Sequence, residues 1–406
     1  MPDPTMTETR APDPRDAVIT GIGLVSCLGA GLDAHWEALD RPGGFRPVVD
    51  AERFAPFTVH PVVALELDRQ IPKKGDQRQM EAWQRIGTYA AGLALDDAGV
   101  KGDADLLGRM DMIVAAGGGE RDYAVDGAIL SALPNAPNPE ALLNERLMNE
   151  LRPTLFLAQL SNLLAGNISI VHGVVGSSRT FMGEEASGND AVRIACARIA
   201  AGQGDFFLVG GSYNAERPDV LLEYAMGRLL WSRDYAPVGE RQAEGGGLVL
   251  GSVGCFLVIE SRAHAAARGA RAWAHIAAIS TDRCRREPGQ ASANAERQLA
   301  PLRARLVPGS SAVLSGASGA PAPTAEEQNF LRELGLPVRA TATALGHSME
   351  PSLPANLALS AMALSRGRLF GPLEAAEAPM TGELRQVLVT AWGHWRGEGT
   401  ALVEAA

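Results

Sequence analysis

The chain has 406 residues, 46% of them hydrophobic and 21% charged, with a formal net charge of −10. Its length holds one large core or two domain-sized halves, and an acidic balance without any run of Lys or Arg argues against nucleic-acid binding. Four scattered cysteines (Cys27, Cys196, Cys255, Cys284), with no CxxC pair and no histidine at ligand spacing, argue against a disulfide framework or a metal site. No metal and no cofactor are expected, and a reducing cytoplasm fits.

Residues 1–15 are polar and proline-rich, lack the regions of a signal peptide, and read as a disordered tail. No apolar run approaches the roughly 20 residues that span a bilayer. Val18–Val25 reads as a buried strand ending in a glycine-rich turn, and His35–Leu39 as a short helix. Residues 40–78, rich in Pro, Gly and charge, predict an irregular excursion. Gln79–Gly99 predicts a helix, because Trp83, Ile86, Ala90 and Leu93 share a face and Gly99 suits the position after a helix end. Met112–Ala116 is a predicted buried strand, and residues 120–165 are mostly helical with breaks at Pro134, Pro137 and Pro153. Phe206–Gly211, Leu248–Leu250 and Phe256–Ile259 complete a first half. The second half has predicted strands near Ala274–Ser280, Ala312–Ser315, Val387–Thr390 and Thr400–Val403, with helices at Ala291–Leu306, Thr324–Leu334 and Pro354–Ser365. Alternating strands and helices predict an α/β architecture with covered sheets. No repeat is visible residue by residue. Gly21-Ile-Gly23 has a superficial likeness to a dinucleotide fingerprint, but Ser26 replaces the third glycine and no acidic strand end follows.

Gly176-Ser-Ser-Arg-Thr-Phe-Met-Gly-Glu-Glu-Ala-Ser-Gly188 runs from a turn through a short strand into a small-residue helix. It resembles the nucleophile elbow of β-ketoacyl-acyl-carrier-protein synthases, whose pattern is Gly-Pro-(strand)-Thr-Ala-Cys-Ala-Ser-Gly. The shared Ala-Ser-Gly places Glu185 on the catalytic cysteine. Other segments resemble the family in order: Val18–Gly29, with Cys27 where proline is usual; Phe207–Gly211; Ala243–Gly251 with Val258–Glu260; Ala344-Leu-Gly-His347, near the second catalytic histidine; and Trp392–Ala401 at the C-terminal glycine-rich loop. The resemblance covers residues 16–406. It implies a thiolase-like fold of two similar halves, 16–262 with cap insertions and 263–406, in stacked α-β-α-β-α layers. It also implies a dimer formed by pairing sheets across a two-fold axis.

Condensation requires a nucleophile, an oxyanion site and two histidines for the malonyl thioester oxygen. Against the family pattern Glu185 replaces the nucleophile, and Leu314-Ser-Gly-Ala-Ser-Gly-Ala-Pro321 carries no histidine where the first one belongs. The family lysine falls on Ala342 and the gating phenylalanine on His394. His347 is the remnant second histidine, read chiefly as a leftover bonded to a backbone carbonyl. Glu185 reads as a structural group, either a helix-capping carboxylate or part of a salt bridge plugging the pocket. The resemblance therefore implies a degenerate, chain-length-factor-like member that pairs with an active ketosynthase on acyl carrier protein, although such relatives usually carry glutamine at position 185. The alternatives are a degenerate-site acyltransferase or malonyl decarboxylase, and a standalone homodimer that binds acyl chains or carrier protein. The expected interface spans residues 153–188. Within it Leu155, Phe156, Leu160 and Leu164 recur at helical spacing, as a buried helix face would.

Overall fold

The computed structural model describes residues 12–153 and 155–406, without the side chain of Ala158. Residues 1–11 of the expected tail lie outside the described residues. Asp13–Arg15 depart from that expectation. The Ala263 amide donates to the Pro14 carbonyl at 2.9 Å and the Arg262 amide to Asp16 at 2.8 Å, docking this stretch on the body.

Ten strands carry the frame: β1 (Ala17–Ser26), β2 (Asp111–Ala115), β3 (Ser178–Phe181), β4 (Phe206–Tyr213), β5 (Val253–Ser261), β6 (Ala274–Asp282), β7 (Ser311–Ser315), β8 (Val338–Ala340), β9 (Gln386–Trp392) and β10 (Glu398–Ala405). They run in the order β3-β2-β4-β5-β1-β6-β10-β9-β7-β8, with the two-residue strand Gly29–Ala30 paired to β1. In the first five, β2 pairs parallel with β3 and β4, while β5 lies antiparallel to both β4 and β1. In the second five, β7 pairs parallel with β8 and β9, while β10 lies antiparallel to both β9 and β6. Each half thus uses its strands in the spatial order third, second, fourth, fifth, first. The duplication hidden in the residues is explicit in the topology. Three residue pairs, Ala17–Ile276, Val18–His275 and Ile19–Ala274, join the halves.

Two helices of small and aliphatic residues, α3 (Glu185–Ala200) and α6 (Ser352–Ser365), pack on each other and on strands of both halves. Their faces, with Ala191, Ile199, Leu357 and Met362, share one core with the inner sides of β1, β5 and β9. On the outer sides, α1 (Ala82–Asp97) and α2 (Leu163–His172) cover the first half, and α4 (Gln290–Arg303) and α5 (Pro321–Arg332) the second. These are the expected α-β-α-β-α layers. Each fully buried Leu or Ile contributes about 1.5–3 kcal/mol relative to exposure, so the shared middle layer dominates cohesion.

The predicted helix 79–99 begins at Ala82. Glu81 and Gln84 close a reciprocal capping box there and set the start. Gly21 and Gly23 serve packing: a β-carbon would lie 2.4 Å from the Ala94 carbonyl oxygen and 1.9 Å from that of Ala90, so only glycine lets β1 approach α1. The buried stripe expected over Leu155, Phe156, Leu160 and Leu164 is divided. The helix there covers only Leu155–Ala158 and the chain turns before α2. Leu155 and Leu164 are buried, whereas Phe156 is 69% and Leu160 36% exposed. Leu164 packs against α1 at Gly87 within its own subunit. No helix among the described residues is long and apolar enough to cross a membrane.

Candidate functional site

The start of α3 is a sharp elbow. Gly183 has φ 130°, and Glu184, a non-glycine residue, has φ 56° and ψ −136°. Such a conformation costs on the order of 1–3 kcal/mol and persists only where surrounding structure enforces it. It places Glu185 first in the helix and buried. Behind it, Gly188 leaves no room for a β-carbon, which would lie 2.0 Å from the Glu350 carbonyl oxygen. The elbow is thereby wedged against the loop before α6.

That loop delivers His347. Its amide donates to Val249 at 2.8 Å and its carbonyl accepts from Gly251 at 2.9 Å, which fixes the backbone. Its Nε2 lies 2.5 Å from Glu185 Oε1, so the expected bond to a backbone carbonyl is replaced by a carboxylate. The third member comes from the turn between β9 and β10. Both the backbone amide of His394 (3.0 Å) and its Nδ1 (2.8 Å) reach the same Glu185 oxygen. Arg286, itself at φ 61°, donates to the carbonyls of Gly393 (2.5 Å) and Gly397 (3.3 Å) and pins this turn, while its charge pairs with Glu398 at 2.9 Å.

Electrostatics follows from these partners. Burial alone would raise the Glu185 carboxyl, but the charge and hydrogen bonds of His347 and His394 outweigh it and hold the group well below the carboxylate range. Burial would lower His394, yet its bond to Glu185 and the negative charges of Glu185 and Glu184 raise it. Of the two structural readings of Glu185, the geometry is that of the plugging salt bridge. Its partners lie far along the chain, and local helix amides are not among them.

Ala342 is buried with Val238, Ala317 and Ala340. With Gly316, His347 and Asn356 it lines a hollow of about 20 Å³, room for about one water. In the histidine-free segment 314–321, Ser315 donates to Glu327 at 2.8 Å, and Thr390 donates to the same oxygen at 2.6 Å. Burial pushes Glu327 up to about 7.

Several site residues escaped sequence reasoning. Glu350, three positions after His347, is buried without a partner for Oε2, and burial pushes it up to about 8. Glu184 accepts from Tyr224 at 3.3 Å and lies 3.7 Å from His394 Nε2. Both face a cavity of about 440 Å³ that also takes in Tyr213, Asn214, Arg217 and Glu223. The signal was there in acidic residues set among small and apolar ones, but Arg286 and Tyr224 lie too far along the chain for spacing to reveal them.

Duplicated five-strand halves around two buried central helices, with a strained elbow at the start of one, define a thiolase-like ketosynthase fold. The sequence model described as "Beta-ketoacyl synthase, N-terminal domain" matches residues 15–265, and the chain belongs to the β-ketoacyl synthase family. It is 25% identical over 270 residues to 3-oxoacyl-[acyl-carrier-protein] synthase 2 of Vibrio cholerae, covering 64% of this chain and 62% of that protein. The matched part thus spans less than two thirds of that relative. A longer match, 28% over 387 residues, joins it to the oxytetracycline polyketide putative beta-ketoacyl synthase 1 of Streptomyces rimosus, with 87% and 86% covered. Among solved structures, the ishigamide ketosynthase/chain length factor superposes with a TM-score of 0.75 at 21% identity, covering 97% of this chain and 99% of that one. A β-ketoacyl synthase from Burkholderia phymatum gives 0.74 at 21%, with 96% and 99% covered. At that identity these likenesses speak for the fold alone.

Proposed function

We propose that this chain is a non-catalytic β-ketoacyl-synthase-like subunit of the chain-length-factor type. It pairs with a cysteine-bearing ketosynthase in acyl or polyene elongation on acyl carrier protein, in the cytoplasm. One observation carries this reading: the elbow presents Glu185, a buried carboxylate bonded by both histidines that converge on it. Its attack on a thioester would give an anhydride instead of a stable acyl-enzyme. Its negative charge also repels an incoming malonyl carboxylate. With His347 and His394 engaged by Glu185, and Ser315 and Thr390 bonding Glu327, no histidine pair is available to a thioester oxygen.

The adjacent cavity supports the same reading. Glu184, Arg217, Glu223 and Glu350 along its wall make it a poor sheath for an alkyl chain, because an apolar occupant would strip water from charged groups. The pairing rests on the sheet end. The edge strand β3 has one neighbour, β2, and Phe156, Val175 and Met182 nearby in sequence are all more than 60% exposed. An open, apolar-flanked edge is a template for association.

Analytical ultracentrifugation tests this. The chain alone is expected as a homodimer, and a cysteine-bearing ketosynthase from the same genome is expected to convert it to a heterodimer. Leu160→Glu, at an exposed position, is expected to weaken association while the fold stays intact. A well-folded monomer, or no association with the ketosynthase, would contradict the pairing.

A further inference from the structure

We infer that Glu185, His347 and His394 form a binding site for one divalent transition-metal ion of the zinc class. The donor atoms of these three buried side chains all lie within 4.8 Å of one another. Two imidazoles and one carboxylate form a donor set that holds zinc in proteins, with the fourth position left to water or another ligand.

Four observations carry the assignment beyond mere clustering. Glu185 Oε2 is buried and has no hydrogen-bond partner, although its residue is only 2% exposed. An orphaned buried carboxylate oxygen costs about 1–3 kcal/mol, and since both imidazoles meet Glu185 at Oε1, a cation there would reach Oε2 by binding the carboxylate through both oxygens. Next, His394 engages Glu185 through Nδ1 while its Nε2 lies 3.7 Å from Glu184 Oε1. A ligating histidine characteristically turns its other ring nitrogen to a carboxylate, which fixes the ring and raises its basicity. Glu184 is in turn held by the Tyr224 hydroxyl. Third, each ligand sits on an independently braced element: the strained elbow of α3, the loop tied to Val249 and Gly251, and the turn pinned by Arg286. Finally, the neighbouring residues Glu184, Met349 and Trp395 line the 440 Å³ cavity, which gives an ion a way in.

Charge is consistent with this. Glu184 and Glu185 bring two carboxylates, while Arg286 is paired with Glu398 and Arg217, on the cavity wall, with Asp219. A dication therefore leaves the site near neutrality once both imidazoles give up the protons that bond Glu185. Metal–ligand bonds of about 2.0–2.2 Å replace the present hydrogen bonds, so the rings draw back slightly and the ion takes the place of the protons. A bound ion would join the first residue of α3, from the first half, to two loops of the second half and hold the turn 393–397 closed.

The site is read from side-chain geometry and does not depend on the pairing with a ketosynthase. Chelator-treated, desalted full-length chain is titrated with Co²⁺, followed by visible absorption, and Zn²⁺ is then added in competition. The expected result is one equivalent of Co²⁺ giving ligand-field bands that Zn²⁺ abolishes. His394→Ala and Glu185→Gln should each weaken binding at least 100-fold. Glu184→Gln, at a half-exposed position outside the ligand set, should weaken it about 10-fold. Far-UV circular dichroism and melting of the metal-free variants establish that they are folded. Absence of stoichiometric binding by the wild-type chain overturns the inference. So does binding that the folded Glu185→Gln and Glu184→Gln variants retain undiminished, which would put the ion elsewhere. Because the chain is assayed alone, either result leaves the ultracentrifugation test of pairing unaffected.

Discussion

A glutamate follows a residue of positive φ at or just before the start of each central helix, yet the protein treats the two carboxylates in opposite ways. Glu184 at φ 56° precedes Glu185, the first residue of α3; Met349 at φ 53° precedes Glu350, which lies two residues before α6 begins at Ser352. Both Glu185 and Glu350 are buried, at 2% and 3% exposure, and each has an oxygen without a partner. Two histidines hold Glu185 far below the carboxylate range, whereas burial carries Glu350 up to about 8. Equal burial therefore fixes neither charge state. The balance between desolvation and charged hydrogen bonds does, and partners drawn from remote segments tip it for Glu185 only.

Removing both imidazole partners of Glu185 has the largest expected effect on stability. His347→Ala with His394→Ala leaves a buried carboxylate with the backbone amide of residue 394 and neither imidazole. A loss of about 3–5 kcal/mol is expected from urea unfolding at unchanged m-value. A loss under about 1 kcal/mol would mean that the carboxyl is satisfied in some other way.

A smaller effect sharpens the other side. The Glu350 pKa rises from an ordinary 4.5 to about 8 on folding, so the folded chain binds more protons between those values. Its stability contribution is full below 4.5 and is lost as pH climbs to 8, with a slope of up to about 1.4 kcal/mol per pH unit. Glu327 and Glu377 behave alike but only up to about 7, and His394, raised from 6.5, adds a slope of its own, so the Glu350 part is read as the difference between wild type and variant. Glu350→Gln should flatten the stability profile relative to wild type as pH climbs to 8 and raise the melting temperature at pH 8. An unchanged slope would show that Glu350 does not titrate in this range.

How much of this was legible beforehand follows the same division between local and remote. The first strand and the helix after residue 79 were readable because hydrophobic spacing is local. The elbow was readable because Ala186-Ser-Gly188 anchors it. Glu185, His347 and His394 were each singled out from the sequence, but the hydrogen-bonded triad they form was not visible there. It depends on a turn between the last two strands meeting a helix start about 209 residues away. The stripe from Leu155 to Leu164 misled, because periodicity does not register the turn that ends the helix at Ala158. The duplicated halves were implied by the family resemblance and not by any residue-level repeat, because strand order is a property of pairing, which unrelated residues can share.

Whether this site condenses acyl chains is read directly from one assay. The purified chain and Glu185→Cys are each incubated with acyl- and malonyl-acyl-carrier protein and analysed by mass spectrometry. The account predicts no condensed product from either protein, with an acyl adduct on the introduced thiol at most, since segment 314–321 supplies no histidine for decarboxylation. Condensed product from the wild-type chain, free of any ketosynthase, would contradict it.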